Sequence, residues 1–344
     1  MNDHDWSMSI RGVSTLTMKG ENASQSPAEL FDSQTGDHLS LACFMVIAGN
    51  DPSYNNLTDL EAALQTMTHI GAAFKANGYM VPWIALGLKH GSACGVGVSL
   101  FPEVAMQSMV EGDPQALFGG LVMTNFEIDE SLAEIVSHHA SNGRRILDGV
   151  AASGITQGAR EILSRKKGEC RLMVNSFLEG DGAAVLDTAQ RFRYVRGGFM
   201  TQKNYTFVLD LNADYMSYNG PVVDHQQTLQ DCLIAWAVGS TSVSNTITIV
   251  RDGMLLSNAV GQQSRVKAAR LALDTPHDVT GALAYSDSFF PFTDGLEILV
   301  KAGIKTVFAT SGSIRDKDVI AFAEKSGVTM IMAPDKEARG FYRH

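Results

Sequence analysis

The sequence predicts an α/β protein, and two stretches carry that prediction. Near the amino terminus, strand-length apolar runs flank one long segment of helical period: LSLACFMVIAGN (39–50), NNLTDLEAALQTMTHIGAAFKANG (55–78) and YMVPWIALGL (79–88). The carboxyl-terminal part alternates in the same way, helical FTDGLEILVKAG and RDKDVIAFAEKSG being followed by strand-like IKTVFA and VTMIMA. Strands interleaved with amphipathic helices are the pattern of layered α/β folds.

Taken in order, the first forty residues are polar and turn-rich and read as loop and short strand. In 55–78, Leu60, Ala63, Leu64, Met67, Ile70 and Phe74 recur at steps of three and four, one face of a helix. Thr58 and Glu61 have the spacing of a capping box, and Gly78 is a stop signal. Strand, helix and strand together read as a βαβ unit. That unit puts Lys89 and His90 at a strand's carboxyl end, before a glycine-rich loop from Gly91 to Gly97. Further helices are expected at 129–141 and 155–166, with ECRLMVN a strand. The glycine-rich VRGGFMTQ (195–202) marks a soft boundary between two parts, 1–200 and 201–344. Beyond it come a helix near 225–239, the strand TITIVRDG, and a helix entered from GQQSRVKAARLAL. No sequence repeat and no heptad run is evident.

The 344 residues suffice for two ordinary domains. A formal net charge of -10 disfavours nucleic acid and anionic membrane as partners, and no apolar run reaches the roughly 18 residues of a membrane span. The opening MNDHDWSMSI lacks the basic and apolar regions of a signal peptide. Cys43, Cys94, Cys170 and Cys232 show no CxxC spacing, so the expectation is a reduced, cytoplasmic chain without disulfides or zinc. GVGVSL breaks the G-x-G-x-x-G pattern, and no Walker loop, H-E-x-x-H or zinc-deaminase signature occurs. Dinucleotide, nucleoside-triphosphate and metal chemistry therefore lose ground, and no metal ligands are expected.

Five stretches could carry chemistry, SVSNTITIV and GQQSRVKAAR being taken as one. Lys89 and His90 read equally well as a solvated ammonium beside a hydrogen-bonded structural imidazole, or as a proton-moving His with an ammonium placed for a developing oxyanion. Phe118 and Gly119 mark either a turn or an aromatic surface for a flat ligand. Asn245 either caps a turn or recognises a carboxamide, since its amide donates and accepts. Gln263, Ser264 and Arg265 enter a helix, which is either a polar helix start or an anion site. In YSDSFFPFTDGLE, Phe289 to Phe292 form an aromatic corner or a slot, and Asp294 either pairs with Glu297 as a cap or holds a heterocycle bearing N–H donors. The basic ending EARGFYRH reads most simply as a solvated tail.

In order, SYNNLTD, KHGSACGV, DPQALFGG, LDGVAASG, RGGFMTQ, SNTITIVRDG, GQQSRV, SDSFFPFTDG and the C-terminal ending resemble the AICAR transformylase family of purine biosynthesis, from about residue 10 to 344. GQQSRV and SDSFFPF are the most specific of these stretches. The resemblance implies a cytidine deaminase-like fold of two similar α/β subdomains, working as a homodimer with sites at the interface. It implies a transferase that moves a formyl group from 10-formyltetrahydrofolate, as co-substrate, to the 5-amino group of AICAR, without a catalytic metal. Under it Lys89, His90 and Asn245 match the catalytic residues. Asn56, Asp148, Gln263, Ser264, Arg265 and Arg339 match the nucleotide side, while Phe118, Gly119, Phe289, Pro291 and Asp294 match the slot for bases and folate.

The sequence departs from the family at LTMKGENASQ (16–25), where the usual pattern is L-R-Y-G-E-N-P-H-Q. Met18-Lys19 replaces Arg-Tyr, so Lys19 supplies a nucleotide-side charge without a bidentate fork. The cyclohydrolase domain that usually precedes the transformylase is not in the sequence, so a stand-alone transformylase is expected. A formyltransferase acting on a different amine and a non-catalytic nucleotide- or folate-binding homologue are the alternatives.

Overall fold

The computed structural model describes residues 13–32, 35–222 and 226–340. The opening MNDHDWSMSI and the last four residues of EARGFYRH lie outside them. β1 (Val13–Met18) and β2 (Ala28–Asp32) pair as a small antiparallel ribbon. β3 (Met45–Ala48) leads into α1 (Tyr54–Ala76), which ends in the hairpin of β4 (Trp83–Lys89) and β5 (Ser92–Ser99). Then follow α2 (Pro102–Gly112), β6 (Leu121–Thr124), α3 (Glu130–His138), β7 (Gly149–Ala152), α4 (Gln157–Leu163) and β8 (Arg171–Val174). A separate hairpin, β9 (Gln190–Val195) and β10 (Gly198–Lys203), stands between the two halves of the fold.

The second half repeats the order: β11 (Ser217–Asn219), α5 (Gln226–Ser240), the hairpin of β12 (Ile247–Arg251) and β13 (Met254–Ala259), then α6 (Arg265–Ala272), β14 (Leu283–Ser286), α7 (Asp294–Lys301), β15 (Thr306–Ser311), α8 (Asp316–Lys325), β16 (Thr329–Pro334) and α9 (Asp335–Ala338). Among the described residues these strands build one 12-stranded sheet in the order β11-β16-β15-β14-β12-β13-β5-β4-β6-β7-β8-β3.

Three layers result. Alternate residues of β4 face opposite ways, as strand geometry requires. Ile84, Leu86 and Leu88 join the core shared by α1 and α5, whereas Ala85 joins the core under α2, α3 and α4. Ile247, Ile249 and Ala284 lie in a third core under α6, α7 and α8. Trp236, Met67 and Ile70 are fully enclosed between α1, α5 and the sheet, and each such side chain contributes about 1.5–3 kcal/mol.

Three local expectations need correction. The capping box lies one turn earlier than Thr58 and Glu61: the Ser53 hydroxyl accepts from the Asn56 N–H, and the Asn56 side chain accepts from the Ser53 N–H at 2.9 Å. The Thr58 hydroxyl instead donates to the Tyr54 carbonyl at 2.9 Å, an interior helical bond. The βαβ reading fails because β3 sits at the sheet edge, antiparallel to β8, while β4 lies between β5 and β6. Finally, most of the span from Gly91 to Gly97 is strand. Its glycines admit α2: a Cβ at Gly95 would lie 2.1 Å from the Met109 carbonyl oxygen, and one at Gly97 1.9 Å from that of Ala105.

Candidate active site

The strand register decides which candidate residues share a neighbourhood. Leu88 pairs with Leu121, Leu121 with Gly149, and Gly149 with Arg171. Lys89-His90, Phe118-Gly119, Asp148 and Arg171 therefore line one end of the sheet. β13 runs antiparallel to β5, so its carboxyl end points the same way. Ile247 pairs with both Ala259 and Ser286, and Ser311 with Pro334. Asn245, Gln263 to Arg265, Phe289 and Arg339 thus belong to that same sheet end. In the first half it is where the parallel strands begin; in the second it is where they finish.

Lys89 closes β4, and its ammonium donates to the Phe118 carbonyl at 2.7 Å. An ammonium has three donors, so two remain for a ligand. His90 and Gly91 both hold positive φ, 53° and 72°, which closes the hairpin in two residues and leaves the His90 side chain exposed. Phe118 is 53% exposed, and the Gly119 N–H is fixed on the Ile146 carbonyl at 2.7 Å. Cys94, four residues past His90, bonds the Gly87 carbonyl, and burial first, then Asp113, pushes its thiol up to about 12, which disfavours the reactive thiolate.

Across the same sheet end opens a cleft of about 510 Å³. Asn245, Gln263, Ser264 and Arg265 form one wall, Phe289, Pro291 and Asp294 another, and Arg339 closes it from the C-terminal segment. Asn245 follows a cis peptide and is held twice by Gln262: its N–H and its side-chain amide both donate to the Gln262 carbonyl, at 3.0 and 2.8 Å. Arg265 is buried and forms an ion pair with the fully buried Asp287, and it also donates to the Thr246 carbonyl at 3.3 Å. Both bonds leave from Nη1. Asp294 is the first residue of α7 rather than its cap, and Thr293 bonds Glu297 at 2.9 Å. Of the aromatic run, Phe290 enters the core, Phe292 is exposed and Phe289 lines the cleft.

Arg339 is presented by Asp335, which pairs with it and accepts from the hydroxyls of Ser288 at 3.0 Å and Thr310 at 2.6 Å. Burial, the largest single influence, works to raise the Asp335 carboxyl. The bonds from Arg339, Thr310 and Ser288 together outweigh it and hold the carboxyl below its usual value.

A second cleft, of about 750 Å³, is lined by Met18, Lys19, Asn50, Asp51, Ser53 and Arg171 among others. Lys19 and Arg171 make part of it cationic. Asn56 lines neither cleft, because its side chain is engaged in the α1 cap. Asp148 lies 3.9 Å from Arg165, which bonds Glu169 at 2.7 Å. Sequence reading passed over Arg171, Asp287 and Asp335. Asp287 stood inside the quoted SDSFFPF, and Asp335 stands four residues before Arg339, an acid-base spacing open to notice; Arg171 carries no local signal. Among the described residues no group of three or more His, Cys, Asp or Glu is placed to hold a metal ion, and no helix is long and apolar enough to cross a membrane.

Residues 3–275 match the family model described as AICARFT/IMPCHase bienzyme. The chain is 34% identical over 318 residues to the bifunctional purine biosynthesis protein PurH of Acidithiobacillus ferrooxidans, covering 91% of this chain and 56% of that protein. It is 32% identical over 314 residues to PurH of Anoxybacillus flavithermus, again 91% of this chain and 56% of the relative. The chain thus spans little more than half the length of these curated relatives.

Proposed function

The chain belongs to the AICARFT/IMPCHase bienzyme family, and on that premise we propose that it transfers the formyl group of 10-formyltetrahydrofolate to the 5-amino group of AICAR. The observation that supports this most is the gathering of Lys89-His90, Asn245 and the Arg339 cleft at a single sheet end.

The acceptor amine is an arylamine conjugated to a carboxamide, hence a poor nucleophile. As its nitrogen attacks the formyl carbon, His90 removes a proton, help worth roughly 10²–10⁴-fold. The free donors of Lys89 steady the oxyanion of the tetrahedral adduct. The adduct collapses by breaking the bond from the formyl carbon to the folate nitrogen, which takes up a proton. The products are the N-formylated acceptor, its amine now a formamide, and tetrahydrofolate. Asn245 suits the carboxamide, Gln263, Ser264, Arg265 and Arg339 the anionic side of the nucleotide, and Phe118, Gly119, Phe289, Pro291 and Asp294 the flat rings. Lys19, Asn56 and Asp148 complete the nucleotide side.

The same proposal includes a cytoplasmic homodimer whose interface brings together the Lys89-His90 hairpin and the two clefts, which are separate within one copy. It also includes a cytidine deaminase-like architecture divided at 200/201. A different acceptor amine is the second reading, favoured by Met18-Lys19, because Lys19 lines the larger cleft where the family carries Arg-Tyr. The test is to mix protein, AICAR and 10-formyltetrahydrofolate and follow tetrahydrofolate release by absorbance. Turnover is expected. No turnover with folate still bound moves the reading to another amine, and no folate binding at all removes the enzyme reading.

A further inference from the structure

The two hairpins make a comparison that the proposed chemistry leaves unused. β4–β5 turns through His90 and Gly91, at φ 53° and 72°; β12–β13 turns through Asp252 and Gly253, at 53° and 77°. The central N–H groups of such a turn take no part in the strand ladder, so they need acceptors from elsewhere. In both halves the preceding long helix supplies a carboxylate. Asp231 of α5 takes the Asp252 N–H at 2.9 Å and the Gly253 N–H at 2.8 Å. Asp59 of α1 takes the Gly91 N–H at 2.6 Å. One device therefore occurs twice. Beneath Arg251-Asp252 it holds a turn with no part in the proposed reaction; beneath Lys89-His90 it holds the turn that carries the proton-moving group.

We propose that Asp59 is a positioning residue: by accepting the Gly91 N–H it holds the left-handed backbone at His90 and so aims the imidazole beside the Lys89 ammonium. A His in the left-handed region is disfavoured unless its surroundings hold it there. A short, charge-assisted bond on the next residue is such a restraint. Lys89 is pinned independently, through Phe118, so both groups of the pair are set by fixed partners. This inference rests on the reading of His90 as the group that takes the proton.

The test compares Asp59→Ala, Asp59→Asn and Asp231→Ala in the full chain. Asp59→Ala is expected to lower kcat at least about tenfold while KM stays within about threefold. Asp59→Asn, whose Oδ1 still accepts the Gly91 N–H, recovers most of that loss. Asp231→Ala lowers the unfolding midpoint and leaves kcat per folded molecule unchanged. In glycine-labelled protein, the Gly91 amide proton lies downfield in the parent and moves upfield in Asp59→Ala. A parental kcat in Asp59→Ala, or equal losses in the Ala and Asn variants, overturns the proposal. If the parent itself transfers no formyl group to AICAR, the functional reading has failed and the amide resonance decides alone: unmoved in Asp59→Ala, it overturns the restraint; moved, it supports it.

Discussion

The two halves of the sheet share one order of strands and helices, yet their equivalent positions follow different physics. Asn125, just past β6, and Asp287, just past β14, are both buried. Asn125 ties its own crossover to β4, accepting the Ile84 N–H at 2.7 Å and donating to the Pro82 carbonyl at 2.8 Å. Asp287 is charged and holds Arg265 at the edge of a cleft. A neutral amide that satisfies backbone groups ties its crossover to the neighbouring strand. A buried carboxylate that needs a cation keeps a charged helix start beside open space. Because β13 runs antiparallel to β5, the two positions lie at opposite ends of the sheet's strands. Repetition of the fold has thus placed a charged cleft at one sheet end in the second half and a backbone-satisfying amide at the opposite end in the first.

The largest expected effect comes from making the second half resemble the first. Asp287→Asn strands the Arg265 charge and should cost about 3–5 kcal/mol in urea unfolding; an unchanged midpoint would break the comparison at its root. Next come the hairpin tips. His90→Ala should lower kcat by at least ~10²-fold with AICAR affinity within a few-fold, while Asp252→Ala should leave kcat alone. Equal losses in the two variants would remove the distinction between the ends.

A third measurement separates the long helices. α1 buries His69 fully, its ring stacked on Tyr205 and its Nδ1 at 2.7 Å from the Gln65 carbonyl; α5 contains no histidine. Burial, only partly offset by hydrogen bonds to backbone, pushes the His69 pKa down to about 4. The unfolded chain, titrating near 6.5, then binds the proton first, so stability is full above that value and falls as pH drops from about 6.5 toward 4. Urea unfolding should lose about 2 kcal/mol between pH 7 and 5, and His69→Leu should flatten the profile. A profile identical in that variant assigns the acid sensitivity to other groups. Smallest is Lys19→Ala in the wide, solvated cleft. It should raise KM for the nucleotide roughly fivefold, about 1 kcal/mol, with kcat unchanged and the difference fading at high salt. A change in kcat instead would place Lys19 nearer the chemistry than an exposed cleft wall allows.

Much of the element list was legible in the sequence. The helix at 55–78 and the carboxyl-terminal α7–β15–α8–β16 run appear close to where periodicity put them, since alternating and 3.6-residue patterns are local properties of the chain. The α1 cap was misread by a turn because Ser53-Asn56 and Thr58-Glu61 are both acceptable as local signals; α1 packing against α5 and the sheet selects the longer helix. The glycines of 91–97 looked like a loop because a strand pressed against a helix backbone needs the same small residues. At the candidate site, the residue types of the Lys89-His90 tip and of SDSFFPF drew attention by themselves. Arg171 and Asp59 did not, since Arg171 shares a cleft with Lys19 and Asp59 meets Gly91 only through the fold; Asp335 has a local partner in Arg339 but takes its other bonds from Ser288 and Thr310, distant in the chain.

By itself, the sequence determined the α/β class, most of the helices and strands, and the residues whose chemistry suits acyl transfer. Only the tertiary structure decided that β3 and β4 lie apart, that the elements repeat, and that Lys89-His90 and the Asn245–Arg339 cleft face the same way. The reason is physical. Side-chain periodicity is written every two to four residues, whereas strand neighbours and their direction are set by hydrogen bonds between segments tens of residues apart, as for Thr306 with Thr329, or far more, as for Met254 with Gly97.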